Sequence, residues 1–129
     1  PVVLRGDSIL AFRHPLAGLQ LVKGGMEPSE TPEAAASREL FEEAGATLAA
    51  GWQLGVSDAI FPGQTWYFVR MKDSSAGLPK TWQHDTQDDG GHRFSFFWQP
   101  LSVQEPEGFD PRFHRAIAFV RTSLQLEGN

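Results

Sequence analysis

The sequence of 129 residues contains no cysteine. The chain therefore cannot form a disulfide, a thiolate zinc site or a cysteine nucleophile. It also lacks an apolar run near the ~20 residues that a membrane-spanning helix needs. No basic segment is followed by the apolar stretch that is typical of a secretion signal. From these absences we expect a cytoplasmic protein with no membrane partner.

The chain also has fewer basic than acidic residues. It contains 11 Lys and Arg and 16 Asp and Glu, which gives a net charge of −5. Nonspecific binding to long nucleic acid relies on Lys and Arg that neutralise phosphates. We therefore expect no long nucleic-acid partner. A small anionic substrate is still compatible with this charge, because a bound cation can reverse the sign of the local field.

The rest of the composition is ordinary, with 40% hydrophobic and 21% charged residues, and predicts one globular domain over residues 1–129.

The order of predicted elements indicates the fold class. Strands are predicted at 2–4, 9–12, 19–22, 47–54, 65–71 and 94–98. Helices are predicted to begin at Pro32, after the N-cap Thr31, and at Pro111, after Asp110. Gly45 is placed just past the end of the first helix. Residues 72–91 are polar and turn-rich and are interpreted as a long surface loop. This order indicates an α/β or α+β sandwich around a mixed sheet.

Acidic residues are concentrated in the segment GGMEPSETPEAAASRELFEEAGA, residues 24–46. A helix there would bring the carboxylates of Glu39, Glu42 and Glu43 to one side, although like charges at this spacing repel. A divalent cation among the carboxylates would explain the arrangement. Three glutamates without a nearby His or Cys favour Mg²⁺ or Mn²⁺, which prefer oxygen ligands. The structural alternative is a solvated acidic helix face.

The turn before this helix contains Lys23, Gly24 and Gly25, and it enters the same predicted site from the preceding strand. Glycines would let the backbone approach a metal or a phosphate closely. Lys23 could add a positive charge, so Lys23 and Gly25 are candidates for substrate binding. Ordinary surface charge is the alternative explanation for Lys23.

The spacing of these residues resembles the Nudix box, G-x5-E-x7-R-E-U-x-E-E-x-G-U, in which U is a bulky aliphatic residue. Gly24 is followed after five residues by Glu30, and after seven more by the run Arg-Glu-Leu-Phe-Glu-Glu-Ala-Gly-Ala that begins at Arg38. Every charged position and both glycines match, and Ala46 is the one departure within the box. The resemblance implies a Nudix-type α/β/α sandwich with a mixed β-sheet.

The resemblance also implies a reaction, the Mg²⁺- or Mn²⁺-dependent hydrolysis of a nucleoside diphosphate linked to another moiety. The substrate would be of the nucleoside triphosphate, nucleotide sugar or ADP-ribose, or dinucleotide type. The alternative is a catalytically weak Nudix-fold module that binds nucleotides or regulates. Both a monomer and a homodimer are compatible with the sequence.

Residue roles follow from the positions in the box. The implied metal ligands are the Gly24 carbonyl, Glu39, Glu42 and Glu43, and these three glutamates with Arg38 form the implied catalytic set. Glu30 and Arg38 would brace the loop against the helix through an ion pair.

The group that deprotonates water is left open among several residues. Glu39 is one candidate. Many members of the family place a further acid about six residues before a late Trp, but counting back from Trp98 reaches His92. Asp88 or Asp89 could serve instead, and so could His92, whose unperturbed pKa lies near ~6.5. His92 is also the tentative substrate-binding candidate, with an ordinary exposed loop histidine as the alternative. Trp82, inside the predicted loop, is expected to be the least core-like tryptophan.

Overall fold

The computed structural model describes residues 1–72, 77–87 and 90–128. Its elements, in chain order, are β1 (Leu4–Arg5), β2 (Ser8–His14), β3 (Gly18–Leu21), α1 (Pro32–Ala44), β4 (Ala50–Ser57), β5 (Trp66–Met71), β6 (Trp82–Thr86), β7 (His92–Pro100) and α2 (Pro111–Glu127). No helix in these described ranges is long and apolar enough to cross a membrane.

The strands form two antiparallel sheets that the N-terminal segment connects. One sheet has the order β1-β2-β7-β6 with β3 also paired to β2, and the other is the β4-β5 pair. Val2 makes a parallel bridge to Arg70 in β5. The Val2 N–H donates to the Val69 carbonyl at 2.6 Å, and the Met71 N–H donates to the Val2 carbonyl at 3.0 Å. The predicted mixed sheet is therefore confirmed.

The sheet lies between the two helices because the side chains of its central strand alternate. In β2, Leu10 and Phe12 pack in one cluster with Leu40 of α1. Ile9, from the other face, packs in a second cluster with Ile117 of α2. Alternation with a period of two is what sends the two sets to opposite faces of a strand. The predicted α/β/α sandwich is confirmed.

Helix α1 begins and ends where its capping residues predict. The N-cap Thr31 accepts a hydrogen bond from the Ala34 N–H through Oγ1 at 3.1 Å, and Pro32 is the first helical residue. Gly45 follows in the left-handed conformation, with φ 71°, and its N–H donates to the Phe41 carbonyl at 2.9 Å. The cap Asp110 and Pro111 begin α2 in the same way.

The prediction of one long loop over residues 72–91 is wrong for residues 82–86. These form β6, which pairs with β7 through registers such as His84 with Phe94. Trp82, His84 and Thr86 are more buried than the intervening Gln83 and Asp85. Burial therefore alternates as in a strand, although most of these side chains are polar.

Trp82 is also more core-like than expected, because it packs against the buried cluster under α1. Its ring stacks on Phe96 with centroids 5.0 Å apart. Its indole N–H donates to the Ala44 carbonyl at 2.9 Å, at the end of α1. The strand therefore supports the helix that carries the glutamates.

The other predicted strands are present with shifted bounds, and β4 and β7 differ most. The structure begins β4 at Ala50 and carries it to Ser57, and it extends β7 over His92–Pro100. Register shifts in the β4-β5 pair, typical of β-bulges, blur the alternation on which a sequence prediction of β4 depends.

Candidate active site

A pocket of about 390 Å³ lies where the Lys23–Gly25 turn, α1 and the start of β5 meet. Lys23, Gly24, Gly25 and Glu39 line it from the acidic segment, and residues 64–68 line it from the β5 side. Its volume falls in the range of about 300–1,000 Å³ that is common for small-molecule sites.

Glu39 packs directly against the backbone of Gly24. The Glu39 side chain is buried, since the residue is only 8% exposed. A Cβ atom at Gly24 would lie 2.0 Å from Glu39 Cδ and 2.1 and 2.3 Å from the two carboxylate oxygens. The carboxylate therefore takes the space that any side chain at position 24 would need.

The other two glutamates face neighbouring parts of the same turn and helix. Glu43 Oε2 accepts a hydrogen bond from the Lys23 N–H at 3.2 Å, so Glu39 and Glu43 both border the backbone of residues 23–24. Glu42 Oε2 lies 3.2 Å from Arg38 Nη1.

The same guanidinium nitrogen, Arg38 Nη1, donates to Glu39 Oε1 at 2.8 Å. In the described part of the chain, no set of three or more His, Cys, Asp or Glu side chains is arranged to hold a metal ion. The structure thus gathers the glutamates around one turn, with the arginine between two of their carboxylates.

Arg38 links the loop to the helix through a two-pronged contact with Glu30. Arg38 Nε and Nη2 donate to the two Glu30 oxygens at 2.7 and 2.8 Å, and Nη2 also donates to the Gly25 carbonyl at 2.8 Å. Planar Arg–carboxylate pairs of this kind are both strong and directional. The hydrogen bonds from Arg38 and from the Glu27 N–H lower the pKa of Glu30 from 4.5 to about 2. The hydrogen bond to Glu30 is the main cause that raises the pKa of Arg38.

A tight turn presents Glu30 to this arginine. The Glu30 N–H donates to the Glu27 carbonyl at 3.0 Å, and the Glu27 N–H donates back to Glu30 Oε1 at 2.8 Å. Ser29 lies between them in the left-handed region, with φ 68°, which is uncommon for a residue other than glycine. The reciprocal bonds hold this conformation.

Two of the three substrate-binding candidates from the sequence line the pocket, and the third does not. Lys23 and Gly25 line the pocket, with both residues exposed. His92 is not among the described residues that line the pocket. Its ring lies 4.7 Å from that of His14, at the hairpin end of β2, whereas Ile9 from the other end of β2 lines the pocket. Asp88 and Asp89 lie outside the described residues.

Sequence reasoning did not find Gln64, which lines the pocket beside Trp66. The Trp66 indole N–H donates to Gln64 Oε1 at 2.9 Å. The sequence feature nearest to Gln64 was the Pro62–Gly63 turn before the strand. This turn predicts a hairpin connection but does not indicate a binding residue.

The fold and the site together define an α/β/α protein in which an acidic loop–helix unit borders a pocket for a small molecule. A family model described as the NUDIX domain matches residues 1–118. The chain belongs to the Nudix family, which confirms the resemblance seen in the sequence. The family is one of pyrophosphohydrolases in general, with small nucleotide-type substrates and divalent metals such as Mg²⁺ in general use. No curated protein gives a significant match to the chain.

Proposed function

We propose that this chain hydrolyses the pyrophosphate linkage of a nucleoside diphosphate joined to another moiety, with Mg²⁺ or Mn²⁺ as cofactor. The observation that carries the proposal is the contact of the Glu39 carboxylate with the Gly24 backbone at the edge of the pocket. A structural helix has no need to press a carboxylate against a glycine beside an open cavity.

By donor chemistry, though not by the arrangement of the carboxylates in the described residues, the residues around this contact fit a hard divalent cation. The donors proposed are the Gly24 carbonyl and the carboxylates of Glu39, Glu42 and Glu43, an all-oxygen set of the kind that Mg²⁺ and Mn²⁺ prefer. A cation held there would neutralise phosphate charge and lower the pKa of a bound water. Arg38 already gives this cluster one positive neighbour, at 2.8 Å from Glu39 and 3.2 Å from Glu42.

Each residue of the unit has a distinct task in this proposal. The Glu39 carboxylate takes the proton of the attacking water, which it is better placed to do than His92 because Glu39 lines the pocket. The water oxygen bonds to phosphorus, and the bridging P–O bond breaks with its electron pair leaving on the departing phosphate. Arg38, fixed by Glu30, keeps the glutamates in register with the turn, and Lys23 meets a substrate phosphate.

A substrate panel tests this proposal. Nucleoside triphosphates, nucleotide sugars, dinucleoside polyphosphates and ADP-ribose are incubated with the protein and Mg²⁺ or Mn²⁺, and the released phosphate and nucleotide are measured. We expect turnover of at least one class, and its loss when the metal is chelated.

The contrary outcomes are also defined. If no compound on the panel is hydrolysed, or if Glu42→Gln and Glu43→Gln both remain fully active, catalysis by this cluster is refuted. Binding of the same compounds without turnover would instead establish the nucleotide-binding or regulatory module.

A further inference from the structure

The pocket has a second polar group, on an element separate from the acidic helix. Gln64 lies just before β5, and both Gln64 and Trp66 line the pocket that Gly24 and Glu39 also line. A ligand whose phosphates meet the acidic unit can therefore place its other end near Gln64.

The backbone that precedes Gln64 is fixed at Ile60 and Phe61. Arg115 Nε donates to the carbonyl of Ile60 at 2.8 Å, and Ile60 is only 2% exposed. The Gln64 N–H donates to the Phe61 carbonyl at 3.1 Å, and the Arg112 guanidinium lies 4.3 Å from the centroid of the Phe61 ring. The loop is thus attached to α2 and presents Gln64 from a defined turn.

The side chain of Gln64 is oriented as well. The indole N–H of Trp66 can only donate, and it donates to Gln64 Oε1 at 2.9 Å. The Trp66 ring packs near Phe68 and Phe113, with centroids 6.1 and 6.4 Å apart. Since the indole holds the amide oxygen, the amide nitrogen is directed away from Trp66. Within residues 1–72, 77–87 and 90–128, the Gln64 Nε2 donors have no hydrogen-bond acceptor.

An oriented amide nitrogen distinguishes nucleobases where it meets the exocyclic group rather than a ring nitrogen. Guanine presents O6 and thymine presents O4 as acceptors, and uracil shares the O4 of thymine, whereas adenine presents the N6 amino group and cytosine the N4 amino group as donors. Because Gln64 is exposed, water can accept from an amide nitrogen that faces an amino group, so the preference comes from the hydrogen bond gained with an oxo group, worth about 0.5–1.5 kcal/mol.

We propose that Gln64, oriented by Trp66, makes the pocket select nucleotides with an oxo base, guanine or uracil, over those with an amino base, adenine or cytosine. This inference rests on the proposed function, because it needs a nucleotide whose phosphates meet the acidic unit.

The test compares four nucleotides with four forms of the protein. The affinities for GMP, UMP, AMP and CMP are measured by calorimetry, and kcat/KM is measured for the corresponding triphosphates with Mg²⁺. The forms are the wild type, Gln64→Glu, Trp66→Phe and the control Gln83→Glu, which adds the same charge at an exposed position of β6, away from the described pocket lining.

We expect the wild type to prefer the oxo bases by about fivefold to tenfold. Gln64→Glu should reverse the preference, because a carboxylate accepts from an amino group. Trp66→Phe should bring the ratio to within about twofold of one, because the amide is then free to turn over. Gln83→Glu should keep the wild-type ratio.

The inference is overturned if the wild type shows no preference, if it binds none of the monophosphates, or if the ratio is the same in Gln64→Glu as in the wild type. Hydrolysis without base preference would refute this inference alone. Base-selective binding without hydrolysis would refute the proposed reaction and leave the selectivity standing.

Discussion

The two sides of the pocket are built by different physical means. The acidic loop–helix unit, residues 24–45, is held by charge-assisted hydrogen bonds such as those from Arg38 to Glu30. The opposite segment, residues 58–68, is held by aromatic packing and by the hydrogen bond from Arg115 to the Ile60 carbonyl. Charged pairs require particular residues at particular spacings, whereas packing accepts many. In the proposed function, the chemistry is accordingly assigned to the first region and the choice of substrate to the second.

The largest effect should come from filling the space between turn and helix. In Gly24→Ala the new Cβ would overlap the Glu39 carboxylate, which lies 2.0 Å from that position at Cδ. Displacing a catalytic group by about 1 Å can cost 10²-fold, so kcat/KM should fall by at least about that factor. The matched comparison is Gly25→Ala, because a Cβ there meets no protein atom within 4 Å and adds a methyl group to the pocket lining without displacing Glu39. Equal losses in the two variants would contradict the contact's importance.

A smaller effect is expected from Arg38→Lys, which keeps the charge and removes the fork that binds Glu30. Hydrogen bonds to charged partners contribute about 1.5–3 kcal/mol, so the free energy of unfolding should fall by about 2 kcal/mol in urea denaturation. Arg93→Lys is the control, since Arg93 also pairs through two nitrogens with Asp85 but both side chains are more than half exposed, at 63% and 65%. If the two substitutions lower the free energy of unfolding equally, the Arg38–Glu30 pair contributes no more than an exposed surface ion pair.

For the opposite segment, Arg115→Met should loosen the loop that carries Gln64 without reaching the glutamates. The lost bond joins a charged guanidinium to the neutral Ile60 carbonyl and is worth about 1.5 kcal/mol, so we expect KM to rise by about tenfold. Steady-state kinetics should show kcat within about twofold of the wild type. A fall in kcat with an unchanged KM would mean that this segment takes part in the chemistry.

The last prediction concerns how the same Arg38–Glu30 pair affects stability in acid. The folded-state pKa of Glu30 is lowered from 4.5 to about 2, so its ionised form is bound more tightly in the native state. This stabilisation is complete above about pH 4.5 and is lost as the pH falls toward 2. Thermal unfolding of the wild type and Glu30→Gln should therefore differ at neutral pH and converge in acid. Glu27→Gln is the control, with its carboxylate 66% exposed and 3.9 Å from Arg38. A gap that persists to pH 2 would be inconsistent with this pairing.

The features that the sequence predicted well are those set by local chemistry. Thr31, Pro32 and Gly45 bound α1 because capping depends on the residues at the helix ends themselves. The contact between Glu30 and Arg38 lies within a short segment and is present, as the resemblance to the Nudix box implied.

The features that were missed depend on contacts between distant segments. Trp82 looks like a loop residue until β6 pairs with β7 and its indole meets the end of α1. Gln64 is an ordinary polar residue until Arg115, 51 positions beyond it, fixes its loop through Ile60 and Trp66 turns its amide. No local pattern encodes these partners, because their meeting is decided by tertiary packing.

The central claim is that the glutamates of α1 cleave a pyrophosphate linkage, and one paired measurement tests it most directly. On the best substrate of the panel, kcat/KM is compared among the wild type, Glu43→Gln and Glu33→Gln, all in saturating Mg²⁺. Glu33 is on the same helix but pairs with Gln53, outside the acidic cluster. We predict a fall of about 10²–10⁴-fold for Glu43→Gln and less than about threefold for Glu33→Gln. Wild-type turnover by Glu43→Gln, with correct folding, would contradict the account.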